Sequence, residues 1–123
     1  MSAEGLVYSN GNFIPASQAG IRLNDPGIGY GHMVFEVTRT YHHKALRLAQ
    51  HLERLYASMK SSEIDCGMTL EEMAEATLLT IKRNIDRFDP DDHVYIVHNV
   101  CGHRRGGGCR RWLGRRSTGG LRR

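Results

Sequence analysis

An α+β fold is predicted, in two layers, with a mainly antiparallel sheet carrying helices on one side. Three observations carry this expectation. Short β-prone runs near Leu6, Val34 and Ala45 are separated by turn signals. Two helical periods then follow one another, over 48–59 and 70–85. A β-branched and aromatic run, HVYIVHNV at 93–100, closes the pattern. The element order is therefore hairpin, hairpin, helix, helix, strand.

The first hairpin spans 6–14. Leu6-Val7-Tyr8 is β-prone, Asn10-Gly11 supplies two residues that tolerate positive φ, and Pro15 stops the return strand. Residues 16–26 read as a loop with a short strand around 20–22, ending in the turn Asp25-Pro26-Gly27. Over 34–41 the chain alternates, with Phe35, Val37 and Tyr41 on one face and Glu36, Thr38 and Thr40 on the other, as a half-buried strand does. His42-His43 makes the turn and 45–48 returns. Leu48, Leu52, Leu55, Tyr56 and Met59 then share one helical face, and Gly67 reads as the stop. Thr69-Leu70-Glu71-Glu72 is a capping box, and Met68 with Met73 has hydrophobic-staple spacing. The second helix presents Leu70, Met73, Ala74, Thr77, Leu78, Ile81 and Ile85 on one side. Its acids lie at the start, and Lys82, Arg83 and Arg87 at the end, which suits the helix dipole. The run at 93–100 is apolar on both faces and reads as an interior strand.

The 123 residues allow one small domain, with 40% hydrophobic and 24% charged residues as in ordinary globular chains. No apolar run approaches the ~20 residues of a membrane helix, and MSAEGLVYSN lacks the marks of a signal peptide. Three cysteines (Cys66, Cys101, Cys109) form no disulfide framework, which points to reduced thiols in the cytoplasm. The net charge of +4 is unevenly placed. Residues 102–123 hold eight arginines and no acid, whereas the preceding 101 residues carry nine Lys and Arg against thirteen acids. An acidic body argues for small-molecule chemistry or protein contacts and against a nucleic-acid surface. The expected organisation is thus a folded unit over 1–100 and an Arg/Gly-rich, disordered tail over 101–123, with seven glycines in its last 22 positions.

Candidate chemistry is sparse. Gly27, Gly29 and Gly31 form G-x-G-x-G ahead of a strand, which is a tight turn and not a dinucleotide fingerprint. Cys101, His103 and Cys109 match no zinc spacing, so no metal is expected. The lysines are Lys44, Lys60 and Lys82, and none has an apolar setting that would depress its pKa. Arg54 lies far around its helix from the Leu52/Leu55/Met59 face. Alone it reads as a solvated arginine, and it becomes functional only if that side meets an anion.

Four segments, VYSNGNFIP, DPGIGYGHMVFEVTRTY, RLAQHLERLYASMKSSEID and HVYIVHNV, resemble in order and spacing the N-terminal, smaller domain of the class IV (fold-type IV) aminotransferases. This pyridoxal-phosphate family includes the branched-chain and D-amino acid aminotransferases. The pair YG-x-x-VFE and HLERL carries the specificity, and the likeness covers about four fifths of the chain. The resemblance implies amino-group transfer between an amino acid and a 2-keto acid in a homodimer. It implies Arg54 as the cofactor-phosphate ligand, and Tyr30 and Phe35 as substrate-pocket residues. It also places the Schiff-base lysine in a larger domain beyond residue 123, so no catalytic residue is expected in this chain. An arginine-glycine pair expected after the last strand is replaced by Cys101-Gly102-His103, and the tail has the composition of a GC-rich gene read out of frame. On this reading the chain is a frameshifted, truncated, inactive form. Two alternatives stand beside it: an aminodeoxychorismate-lyase-like member of the same fold, and non-specific nucleic-acid binding through the tail.

Overall fold

The computed structural model describes residues 4–102. The Asn10-Gly11 turn forms as its composition requires, with φ of 55° and 94°. It joins β1 (Leu6–Ser9) to β2 (Asn12–Pro15) in the register Leu6↔Pro15 to Ser9↔Asn12. Tyr8 packs edge-on against Phe13, and the Arg83 guanidinium stacks 4.3 Å above the Phe13 ring, fastening the hairpin to the second long helix. The strand expected around 20–22 is absent, and a single 3-10 turn occupies Ala16–Gln18 instead. Asp25-Pro26-Gly27 is more than a turn. Asp25 Oδ1 accepts the Gly27 N–H at 2.8 Å and Pro26 opens a short helix, α1 (Pro26–Gly29).

Three strands form the main sheet in the order β4-β3-β5: β3 (Met33–Tyr41), β4 (Lys44–Ala45) and β5 (Tyr95–Cys101). Both pairings are antiparallel, and β3 meets β5 from Met33↔Cys101 to Arg39↔Tyr95. His42 and His43 make the turn at φ 46° and 65°. The return strand is shorter than the expected 45–48, because Arg47 turns left-handed (φ 54°) and releases the chain into a helix.

The alternation in β3 is as expected, but its inner face is the polar one. Glu36, Thr38 and Thr40 are buried, while Phe35 and Tyr41 are 66% and 55% exposed. Burial of these polar groups is tolerable because most find partners; Thr40 Oγ1, for example, accepts the Val94 N–H at 3.1 Å. On β5, His98 and Val100 point inward, whereas Tyr95, Val97 and Asn99 face solvent. The interior strand expected at 93–100 is therefore corrected to a strand buried on one face and paired, among the described residues, along one edge.

Helices α2 (Leu48–Ser61) and α3 (Leu70–Asn84) cover the inner face, and a 3-10 turn at Ile85–Arg87 prolongs α3. Leu52, Leu55 and Met59 of α2 meet Met73 of α3, Ile64, Cys66 and Val100 in the core. The capping box is present in both directions: Thr69 Oγ1 accepts the Glu72 N–H, and Glu72 Oε2 accepts the Thr69 N–H. Leu78 departs from the expected apolar face and is 56% exposed. Gly67 (φ 74°) lies in the connection to α3, well past the end of α2.

Past Val100, Cys101 completes β5 and Gly102 is buried. The Gly102 N–H donates to the His32 carbonyl at 2.6 Å, and a Cβ at 102 would overlap the His32 ring. His32 Nε2 donates in turn to the Ser62 carbonyl at 2.9 Å, joining the end of β5, the entry to β3 and the end of α2. The tail expected to be disordered falls almost wholly on 103–123, outside the described residues. Among the described residues no helix is long and apolar enough to cross a membrane.

Candidate active site

The two-residue period of β3 turns Glu36 inward between the outward Phe35 and the next strand position, and leaves its carboxylate 5% exposed beneath α2. Arg54 of α2 closes on it. Arg54 Nε donates to Glu36 Oε2 and Nη2 donates to Oε1, both at 2.6 Å. This is the parallel, two-bond geometry for which guanidinium and carboxylate are matched. His51 lies three residues earlier on the same side of α2, with Nδ1 3.5 Å from Glu36 Oε2. The Val37 N–H adds a further bond to Oε1 at 3.1 Å. The Arg54 hydrogen bonds hold the Glu36 carboxyl down at about 2 despite its burial, so the pair is ionised at neutral pH. Arg54 is thus not the free, solvated cation that helical periodicity alone allows. Its side chain is nevertheless 68% exposed, and of its three nitrogens Nε and Nη2 are engaged by Glu36, which leaves Nη1.

His98 stands opposite Glu36 across the sheet. Its Nε2 lies 2.9 Å from Thr77 Oγ1, whose own proton goes to the Met73 carbonyl at 2.7 Å. His98 Nε2 is therefore the protonated nitrogen, and Nδ1 is left buried without a partner. Burial pushes the His98 pKa down, against the pull of the Glu36 charge. Burial thus favours the neutral ring.

Tyr30 caps the end of α1 and is 79% exposed. Phe35, being next to Glu36 in β3, projects on the opposite side of the sheet from Arg54. Cavities of about 290 and 400 Å³ open between the β1–β2 hairpin and β5, lined by Val7, Tyr8, Met73, Val97 and His98 among others, and neither includes Tyr30, Phe35 or Arg54. Phe35 and Arg54 thus lie on opposite sides of the sheet, and neither of these cavities joins them to Tyr30. Lys44, Lys60 and Lys82 are all exposed. Among the described residues no cluster of His, Cys, Asp or Glu is placed to hold a metal ion. Sequence reasoning missed Glu36 as the partner of Arg54, and His51 beside it. The available signal was an acid on an alternating strand together with His and Arg three apart on the next helix.

The fold is thus an α+β unit whose first long helix carries an arginine anchored to a buried carboxylate. Residues 33–110 match the family described as amino-transferase class IV, which is more than half of the chain, and the protein belongs to that family. A Methanocaldococcus jannaschii protein assigned as a branched-chain-amino-acid aminotransferase is 40% identical over 78 residues, covering 63% of this chain and 27% of its own length. D-alanine aminotransferase of Staphylococcus haemolyticus is 31% identical over 78 residues, covering 63% and 28%. Among solved structures, the T.th. branched-chain amino acid aminotransferase, complexed with N-(5'-phosphopyridoxyl)-L-glutamate, aligns with a TM-score of 0.68 at 29% identity, over 78% of this chain and 32% of that one. The Thermoproteus uzoniensis branched-chain aminotransferase, solved with norvaline, aligns at 0.65 with 28% identity, over 76% and 32%. The chain thus spans less than a third of the length of these relatives.

Proposed function

We propose that this chain forms the small domain of a pyridoxal-phosphate aminotransferase, with Arg54 as the ligand of the cofactor phosphate and Tyr30 and Phe35 as walls of the substrate site. The observation that carries this reading is the Arg54 guanidinium, fixed along one edge by Glu36 and open to solvent along the other. Open guanidinium donors suit a phosphate dianion. When bound, pyridoxal phosphate supplies the electron sink for amino-group transfer. Branched-chain amino acids and their 2-keto acids are the favoured substrates, supported by the 40% identity to the M. jannaschii relative. Tyr30, exposed and beside a glycine turn, suits a site completed by a second subunit in a homodimer. The Cys66 and Cys101 thiols suit the reducing cytoplasm.

Transfer also needs a lysine held away from water, and the chain's only lysines, Lys44, Lys60 and Lys82, are exposed. The 123-residue chain should therefore bind the cofactor weakly and show no transaminase turnover. The test is titration of the purified chain with pyridoxal 5'-phosphate and with phosphate-free pyridoxal, alongside a branched-chain transaminase assay. A preference for the phosphate form that disappears in Arg54→Ala supports the reading. Equal affinity for the two compounds, or turnover by this chain alone, would count against it. Sequencing the locus with its downstream region tests whether the Arg/Gly composition of 103–123 belongs to the native reading frame.

A further inference from the structure

An arginine side chain on a helix surface has many rotamers, and an exposed one ordinarily samples several of them. Arg54 does not stand in that position. Its Nε and Nη2 form two bonds of 2.6 Å to a carboxylate that is itself immobilised. Glu36 is 5% exposed, takes the Val37 N–H on Oε1, and has His51 at 3.5 Å from Oε2. Its strand is central in the sheet, between β4 and β5. The plane of the guanidinium is thus set by a rigid element, and the choice of edge leaves Nη1 and the remaining Nη2 hydrogen as the donors not engaged by Glu36.

We propose that Glu36 is the positioning residue for Arg54, orienting the guanidinium so that its Nη1 end is presented to an anionic phosphate. This rests on the reading of Arg54 as the phosphate ligand, and adds that the affinity depends on a residue with no contact of its own to the anion. A surface ion pair that merely satisfies a buried carboxylate would have no such consequence. The distinction lies in a ratio. Loss of orientation weakens binding of a phosphorylated compound and spares its phosphate-free analogue, whereas a general packing defect weakens both.

The experiment measures affinities of the 123-residue chain for pyridoxal 5'-phosphate and pyridoxal by absorbance and fluorescence titration, in the wild type, Glu36→Gln and Arg54→Ala. The expected result is a preference for the phosphate form in the wild type, abolished in Arg54→Ala and reduced about tenfold in Glu36→Gln, in line with the cost of losing a charge-assisted, two-point hydrogen bond. Loss in Arg54→Ala with an unchanged ratio in Glu36→Gln overturns the positioning role and leaves the phosphate reading standing. An equal fall for both compounds in Glu36→Gln overturns it too, as a packing effect. A ratio that Arg54→Ala does not alter, or no preference in the wild type, overturns the phosphate reading and the inference with it. Should Glu36→Gln not fold, the wild-type Arg54 Nε–H resonance decides. It must remain protected from exchange as inorganic phosphate is added, and its loss on phosphate addition would show that the anion displaces Glu36.

Discussion

His98 is the residue whose proton most directly couples chemistry to folding. Its ordinary pKa of 6.5 is lowered by burial, so the unfolded chain takes up a proton that the folded ring refuses. The associated stability is fully present above about 6.5 and is lost progressively as the pH falls below that value. Glu36 acts in a separate and more acidic window. Its carboxyl is depressed from 4.5 to about 2, so the stability it contributes is present above 4.5 and lost as the pH falls toward 2. We expect the melting temperature to fall between about pH 7 and pH 5, and the fall to flatten in His98→Gln, in thermal melts across that range. Burial of a neutral histidine is not legible in HVYIVHNV, since alternation along a strand does not reveal which face is covered. The same gap hides the role of Glu36. Phe35 and Val37 are the apolar neighbours that invite an inward reading, yet the polar residues between and beyond them are the ones that α2 and α3 cover.

Among the elements, those with local chemistry are the legible ones. The Asn10-Gly11 turn, the capping box at Thr69 and the starts of α2 and α3 depend on residues adjacent in sequence, and they form as read. The short helix α1, legible only as the turn Asp25-Pro26-Gly27, and the bounds of β4, legible as 45–48 but formed at Lys44–Ala45, depend on where the chain must go next. The two hydrogen bonds of the capping box hold the start of α3, the helix that carries Met73 and Thr77 into the core. Thr69→Ala should cost about 0.5–2 kcal/mol, measured by urea unfolding, with Thr69→Ser retaining most of the stability.

For the whole molecule, the outer side of the sheet is the least settled surface. Phe35, Tyr41, Tyr95 and Val97 are all more than half exposed there. Four large apolar side chains exposed on one side of a sheet are a liability in isolation, even with Arg39 and Asn99 among them. The chain should bind a hydrophobic dye and self-associate at high concentration, and Phe35→Ser with Val97→Ser should reduce both in fluorescence and sedimentation measurements. The sheet order β4-β3-β5 has a different kind of consequence, in the time course of folding. β3 reaches its partner β5 only after two intervening helices, so that Glu36 and His98, paired across the sheet, are 62 residues apart in sequence. Loop closure over such a distance is entropically costly and is repaid only when the core seals. During synthesis, β3, β4 and α2 leave the ribosome together and can assemble locally through the Glu36–Arg54 pair, while Val100 follows every other residue of the core cluster. In stopped-flow refolding, Leu55→Ala should therefore mainly slow folding, and Val100→Ala should mainly accelerate unfolding. On that expectation β5, the last strand among the described residues, acts as a latch, and the native lifetime follows how long the latch stays shut.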